Sequence, residues 1–446
     1  MEQKDLLQTL KTQRQNSGLT QEQLAAKTGI PRSTIAKIEA GFRNTTLNTL
    51  HELADGLNFD LALVRKAMQK TQGQLARPFA VLNQIEINAA QIIKNYLFFQ
   101  KLLPQKEIWP VLKANAYGHG IKELTQILKK LSITYLVVDS YYEALQIWEV
   151  NPQQKILLIG PTLRENFAHM KWDKLAIVVY DLETLLALNK LDRPVTIHLK
   201  INTGMNRQGI NLENLKHFLR AIKKSTNLTL EGVLSHLADA DGASDVFTRQ
   251  QIKKFQVALQ VIENKLGPIK YKHLAATAGS VKSENSGDNV VRLGLGLYGY
   301  NPLHPKDKNY KKLNNLRPVL RFTSKITNIL DLKKGDTVSY SRTFAAPHAM
   351  TVAVLPVGYF DFYDRSLSNR AHVKIGGKFL PILGRICMNL VVIDLKNLPA
   401  KLHDSVEIIS PKSQDQNSII NLAKLADTIP YETLVKINSS IRRVVV

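Results

Sequence analysis

Val111-Leu112-Lys113-Ala114-Asn115-Ala116-Tyr117-Gly118-His119-Gly120 is the stretch from which the rest of the chain can be read. The apolar residues Ile108, Trp109, Val111 and Leu112 read as a buried strand, and that strand delivers one lysine, Lys113, into a polar loop containing glycine. In a barrel of parallel strands, this is where chemistry is kept. A lysine so placed can condense with a carbonyl, and Tyr117, Gly118, His119 and Gly120 follow closely enough to help seat a phosphate. A lone lysine after a strand is more often a surface residue, so the surrounding pattern has to carry the reading.

Outward from Lys113, β-like and helix-like segments alternate from Ala80 to about Pro302. The strand-like runs are Trp109–Lys113, Tyr135–Asp139, Ile156–Gly160, Leu175–Asp181, Val195–Asn202, Leu228–His236, His273–Thr277 and Val290–Gly299. Eight such runs separated by helices predict a parallel β/α barrel of the TIM type. The last third changes to short strands between turns, among them Thr323–Leu330, Thr351–Val357, Gly384–Asp394 and Ser405–Ile409, which predicts an all-β C-terminal domain.

The first 70 residues hold short amphipathic helices and no strand-like run. Thr20 with Gln23 offers a capping box, Gly29 breaks the helix that follows, and Pro31 opens another that Gly41 stops. Two short helices across a glycine turn make a helix-turn-helix. Leu24, Ala25, Ile30, Leu47, Leu50 and Leu53 supply its core, with Ile35 and Ile38 facing inward. Gln21, Arg32, Ser33, Thr34 and Lys37 are left for base edges and phosphates. On pattern alone a protein-binding helical module is an equal reading. The predicted organisation is therefore multidomain: a helix-turn-helix at 1–70, a linker at 71–79, the barrel at 80–315 and the β domain at 316–446, against which N-terminal barrel elements can pack.

Composition narrows the class. A chain of 446 residues, 44% hydrophobic, is long enough for two or three cores. Its single cysteine, Cys387, excludes an internal disulfide framework and suits a reducing cytoplasm. No apolar run approaches the roughly 20 residues that span a bilayer, and the first residues lack the apolar region of a signal peptide. No membrane partner and no metal are expected. The net charge of +23 invites a nucleic-acid reading, but bases only modestly outnumber acids up to Lys70, and much of the excess lies beyond it.

The motif at Lys113 resembles the lysine motif of the alanine racemases, which carry pyridoxal phosphate, and the resemblance covers roughly four-fifths of the chain. Lys200-Ile201-Asn202-Thr203-Gly204-Met205-Asn206-Arg207 is similar to the family segment whose arginine holds the cofactor phenolic oxygen and the substrate carboxylate. Leu234-Ser235-His236 is similar to the strand end whose histidine orients an arginine on the cofactor side. Arg292, in Val291-Arg292-Leu293-Gly294-Leu295, resembles the arginine that faces the pyridine nitrogen. Thr277, Gly294, Leu295, Tyr117 and Tyr431 are implied phosphate partners. Residues 6–59 likewise resemble the phage-repressor type of helix-turn-helix, which implies DNA as a partner of residues 1–70.

The resemblance implies two bases. Racemisation needs an acid/base on each face of the α-carbon, and Lys113 and Tyr340 take these roles. In the family this tyrosine enters the barrel from a second subunit, so a homodimer with shared active sites is implied. Met388 and Tyr359 are implied near the substrate carboxylate, and Asp241, Arg365, Arg385, Ile429 and Tyr431 along an access channel. The implied activity is interconversion of L- and D-alanine, supplying D-alanine for peptidoglycan. A serine or broad-range racemase, and a transcription regulator that uses the racemase fold as a sensor, are the alternatives. The chain departs from the family pattern at Ala276, Thr277, Ser341, Phe362, Asn389 and Ser440.

Overall fold

The computed structural model describes residues 3–41, 45–57, 80–283 and 285–446, and the linker expected at 71–79 lies outside them. The chain separates into two compact units, Met1–Ala80 and Val81–Val446.

The first unit carries helices α1 Gln3–Asn16, α2 Gln21–Thr28, α3 Arg32–Glu39 and α4 Leu47–Gly56. The expected capping box is present. The Thr20 hydroxyl accepts the Gln23 N–H, and the Gln23 side chain accepts the Thr20 N–H. Gly29 ends α2 at φ 71°, a left-handed residue that glycine adopts without steric cost. Leu24, Ile30, Ile35, Ile38, Leu50, Leu53 and Leu57 close the core, with Ala25 at its edge; the side chain of Leu47 lies outside those described. Arg14 grips Glu39 through two hydrogen bonds of 2.6 and 2.9 Å and ties α1 to α3.

The second unit opens with β1 Gln84–Ile87 and α5 Ala89–Leu102. The barrel strands follow as β2 Glu107–Pro110, β3 Leu136–Val138, β4 Ile156–Leu158, β5 Leu175–Val179, β6 Val195–Lys200, β7 Leu228–Leu234, β8 Tyr271–His273 and β9 Val290–Leu293. Strands β3 to β8 pair in sequence order, and β2 pairs with β9, all parallel. Bridges Val111 to Val137 and Ala276 to Arg292 join the two sheets into a ring. Strands β3, β4, β5 and β9 are buried along their whole length, as expected where helices cover the outside and side chains fill the inside. The covering helices include α6 Ile121–Leu128, α7 Tyr141–Val150, α8 Leu182–Asn189, α9 Leu215–Lys224 and α10 Val246–Leu266.

The C-terminal part is β-rich rather than purely β. Strands β10 Leu320–Lys325, β11 Asn328–Leu332, β12 Thr337–Val338, β13 Phe344–Ala345, β14 Met350–Leu355, β15 His372–Ile375, β16 Lys378–Leu383, β17 Val391–Asp394 and β18 Ser405–Ile409 precede two short helices. These are α11 Ile419–Leu425 and α12 Pro430–Val435, and β19 Arg442–Val445 ends the chain.

One nine-stranded sheet runs β11-β14-β17-β16-β15-β18-β10-β1-β19. The first strand after residue 80 is part of this sheet. Residues 84–87 belong to the β domain's sheet, between Leu320–Thr323 and Arg442–Val445, and the chain enters the barrel only afterwards. This strand binds the two domains into one unit and brings the C-terminus back beside the barrel.

Candidate active site

Strands β2, β6, β7, β8 and β9 all end on one face of the barrel, and a cavity of about 580 Å³ opens there. It is lined by Lys113, Tyr117, Arg207, His236, Thr277, Arg292, Gly294, Leu295 and Tyr431, together with Lys200 and Ala276. Nine residues singled out in the sequence thus meet in one place, although 318 positions separate Lys113 from Tyr431 along the chain.

Lys113 follows the end of β2, and the turn beyond it is left-handed. Ala114, Asn115, Ala116 and Tyr117 have φ of 53°, 52°, 53° and 53°, and Gly118 and Gly120 follow at 78° and 101°. Each non-glycine residue in that region costs roughly 1–2 kcal/mol, so four in succession persist only where surrounding contacts enforce them. Asn115 Oδ1 accepts the Ile121 N–H at 2.9 Å, and Glu143 Oε1 accepts the Ala114 N–H at 2.6 Å. Gly118 is sterically required: a Cβ on it would stand 2.1 Å from the backbone Leu434 O, and the φ of 101° at Gly120 disfavours any side chain.

Arg292 is buried at the barrel centre and held entirely by neutral acceptors. It donates to the carbonyls of His273 at 2.6 Å, Ser235 at 2.7 Å and Leu274 at 3.1 Å, and to ring nitrogens of His273 at 3.0 Å and His236 at 3.2 Å. Burial lowers it to about 10, which still leaves it cationic near neutrality. An arginine donor fixes His236 Nδ1 as an acceptor, so that ring is neutral. Burial first, then Arg292, Arg207, Lys200 and Lys113, push His236 down to about 3. The same logic makes His273 Nδ1 an acceptor and its Nε2 the donor to His198 Nδ1 at 2.8 Å. Lys200 donates to Gln208 Oε1 at 2.8 Å and is lowered to about 8 by burial and by Arg292, Arg207 and Lys113.

At the other end of the cavity the groups suit a phosphate. The Thr277 hydroxyl accepts the Gly296 N–H at 3.1 Å, which leaves its own proton to donate. A Cβ on Gly294 would stand 2.8 Å from the Tyr117 hydroxyl, so the glycine leaves room for that phenol. The Tyr117 ring packs 5.0 Å from Tyr298 and 6.0 Å from Tyr431.

Tyr340, Met388 and Tyr359 do not line this cavity. They stand on the β domain, 67%, 54% and 45% exposed. They belong to one local construction: Ser339 Oγ donates to Arg385 O at 2.6 Å, and the backbone N–H groups of Tyr359 and Phe360 donate to Cys387 O and Met388 O. Two departures from the family pattern fall on positive φ within this region. Ser341 stands at 57° and Phe362 at 149°, positions where the resemblance implies glycine. Phe362 is buried against Phe322 and Tyr363, so its ring packs where glycine would leave space.

In the helical unit Arg32, Ser33 and Lys37 are exposed and Thr34 is half-buried. Arg32 pairs with Glu22 at 2.6 Å. Gln21 is half-buried, and its amide donates to Glu39 at 2.9 Å inside the unit.

Sequence reading missed Glu143 and Arg443. Ser140-Tyr141-Tyr142-Glu143 carries the Ser-x-x-Glu signature of a capping box, and that box forms, so Glu143 was findable as a helix cap. Nothing local marks Arg443, which reaches the Gly118 carbonyl at 2.7 Å from 325 residues away.

Comparison with known proteins agrees with this geometry. Residues 87–302 match the alanine racemase N-terminal domain, 319–445 the alanine racemase C-terminal domain, and 10–64 a helix-turn-helix domain. The chain is 34% identical over 363 residues to the alanine racemase of Listeria monocytogenes, covering 80% of this chain and 96% of that one. It is 30% identical over 374 residues to that of Helicobacter pylori, covering 81% and 98%. The crystal structure of the Bacillus anthracis enzyme with bound L-Ala-P is 27% identical, with a TM-score of 0.76 over 83% of this chain and 96% of that one. The chain belongs to the alanine racemase family, a family of pyridoxal-phosphate-dependent isomerases, and carries a helix-turn-helix domain ahead of the racemase domains.

Proposed function

We propose that this chain is an alanine racemase that interconverts L- and D-alanine by two-base proton exchange, supplying D-alanine for peptidoglycan in the cytoplasm. The observation that carries the reading is the single cavity in which Lys113, Arg207, His236 and Arg292 meet Tyr117, Thr277 and Tyr431. The residues fit pyridoxal phosphate. Tyr117, Thr277, Tyr431 and the backbone of Gly294 and Leu295 would hold its phosphate, Lys113 would bond its aldehyde carbon, and Arg292 would face its ring nitrogen. When bound, that group withdraws electrons from the α-carbon of the amino acid.

The protein side of the mechanism follows from the charges. Arg207 grips the substrate carboxylate, a task suited to a planar guanidinium that stays charged. Arg292 remains cationic and is too weak an acid to give up its proton, so it would offer the ring nitrogen at most a hydrogen bond, and the bound group would supply only modest electron withdrawal. Neutral His236 fixes Arg292 without adding a competing proton. The Lys113 amine moves the proton on one face of the α-carbon, and the phenol of Tyr340 from a partner subunit moves it on the other. Exposure of Tyr340, Met388 and Tyr359 outside their own chain's cavity supports a homodimer with shared sites.

The test is D-alanine formation from L-alanine by the full chain with added pyridoxal phosphate, run beside L-serine. Faster turnover of alanine supports the reading; faster serine turnover replaces it with a serine or broad-range racemase, which Ala276 and Thr277 in the cavity wall would then explain. The helix-turn-helix favours a second role in transcription, with residues 1–70 binding DNA. Cofactor binding without any turnover would make the chain a regulator that uses the racemase fold as its sensor.

A further inference from the structure

Strand β19 is joined through one side chain to the turn that carries Tyr117. Arg443 donates to the Gly118 carbonyl twice, from Nε at 3.0 Å and Nη2 at 2.7 Å. Its remaining donors go to the carbonyls that follow α12: Ile441 at 2.8 Å, Ser439 and Asn438 at 3.2 Å, and Ile437 at 3.5 Å. The stem is placed as deliberately as the head, since a Cβ on Gly120 would meet Arg443 Cδ at 2.8 Å. Five carbonyls from two distant segments thus converge on one guanidinium. A planar fork with five N–H groups can serve such a set, whereas an ammonium cannot.

The two segments are the ones that carry the phenols of the cavity. Gly118 directly follows Tyr117 in the left-handed turn, and Ile437 to Ser439 directly follow the helix that begins with Pro430 and Tyr431. Leu434 of that helix packs its carbonyl against Gly118, so the turn and the helix end are in contact before Arg443 is added. A turn of four left-handed residues has a strong tendency to relax, and relaxation would swing Tyr117 away from Gly294.

We propose that Arg443 is a positioning residue for the phosphate of the bound cofactor: it ties the turn bearing Tyr117 to the helix bearing Tyr431 and so sets the spacing of the two phenols. This rests on the reading of the cavity as a pyridoxal phosphate site. It makes strand β19 a determinant of affinity for a phosphate monoester, although Arg443 itself does not line the cavity. It acts by preorganisation, so its loss appears in binding rather than in the chemistry of the lysine.

The full-length apoprotein is titrated with pyridoxal phosphate and with phosphate-free pyridoxal, following absorbance, for wild type, Arg443→Lys, Tyr431→Phe and the double variant. Wild-type protein that binds neither aldehyde overturns the cavity reading itself. Given wild-type binding, Arg443→Lys is expected to weaken pyridoxal phosphate about tenfold and leave pyridoxal unchanged within about twofold. The double variant should lose little more than the single ones, because both act through one cup. Equal weakening of both aldehydes, or of neither, overturns the proposal. A measurement on wild type needs no variant to fold: pyridoxal phosphate should slow backbone hydrogen exchange at residues 114–120 and 436–443 together. Protection confined to the first segment overturns the proposal equally.

Discussion

Glu143 Oε1 accepts the N–H of Ala114 at 2.6 Å, which fastens the peptide beside Lys113 to the start of the helix after β3. The same carboxylate takes the N–H groups of Asp139 at 2.9 Å and Ser140 at 3.2 Å through its other oxygen. One side chain therefore caps a helix and the strained turn at once. Removing it leaves three N–H groups without their acceptor, each such bond being worth about 1 kcal/mol where water can replace it. Glu143→Ala is expected to lower unfolding stability by about 2–4 kcal/mol in denaturant titration. Pyridoxal phosphate affinity should fall with it, because the turn carries Tyr117. Stability and affinity both at wild-type values would show that the turn is held without Glu143.

Several histidines in the second unit are buried and held neutral. Burial pushes His119 down to about 4, and burial with Arg292 pushes His236 to about 3; His198 and His273 are lowered as well. In the unfolded chain these rings take up protons near pH 6.5, whereas in the folded one they do not. The unfolded state binds more protons as pH falls below about 6.5, so stability is full above neutrality and is lost on acidification. His119 lends itself to a test. It stacks 4.3 Å from Tyr298, and its Nδ1 donates to the Ala116 and Tyr117 carbonyls at 3.0 and 2.8 Å. His119→Gln should make the fall in stability between pH 7 and 5 shallower by about one proton. An unchanged slope would mean that His119 protonates equally in both states.

These residues also show where the sequence could be read and where it could not. The strand ending at Lys113 and the two glycines after it were legible, because apolar runs and glycines act locally. The left-handed turn through Ala114 to Tyr117 was not, since none of these four residues favours that conformation except Asn115. Its causes are Glu143, Leu434 and Arg443, all distant along the chain. Strand β1 escaped for the same reason. Four residues alternating Gln-Ile-Glu-Ile are too short to signal a strand, and its partners Leu320–Thr323 and Arg442–Val445 lie more than 230 positions away. Tyr340 is the opposite case. It is 67% exposed among the described residues and lies outside the cavity, so its role rests on resemblance to the family.

For the helical unit, the exposed Arg32 and Lys37 on α3 should meet phosphates or base edges, while Ile35 and Ile38 on the other face close the core. Arg32→Ala with Lys37→Ala is expected to weaken DNA binding and reduce the salt slope by about 2, with alanine turnover untouched. Gln21→Ala should instead destabilise the unit, because its amide is engaged by Glu39. Gel-shift titrations at several salt concentrations distinguish these outcomes. Unchanged affinity in the double variant would mean that α3 does not face DNA.

The placement of Tyr340 can be settled by mixing two inactive proteins. Lys113→Ala removes the group that bonds the cofactor, and Tyr340→Phe removes one base, which should lower racemisation by about 10²-fold or more. If Tyr340 completes the site of a partner, a mixed dimer of the two variants holds one doubly damaged site and one with both Lys113 and Tyr340 intact. Equal mixing makes half the dimers mixed, so activity should recover to about a quarter of wild type. If Tyr340 instead folded back into its own barrel, each chain would keep its single lesion and mixing would restore nothing. Its 67% exposure, with Met388 and Tyr359 beside it and the cavity elsewhere, favours recovery. Deuterium exchange of the α-proton supplies the second readout. The Tyr340→Phe homodimer should still exchange the proton of the enantiomer served by Lys113 while failing on the other, and equal loss on both faces would remove Tyr340 as the second base.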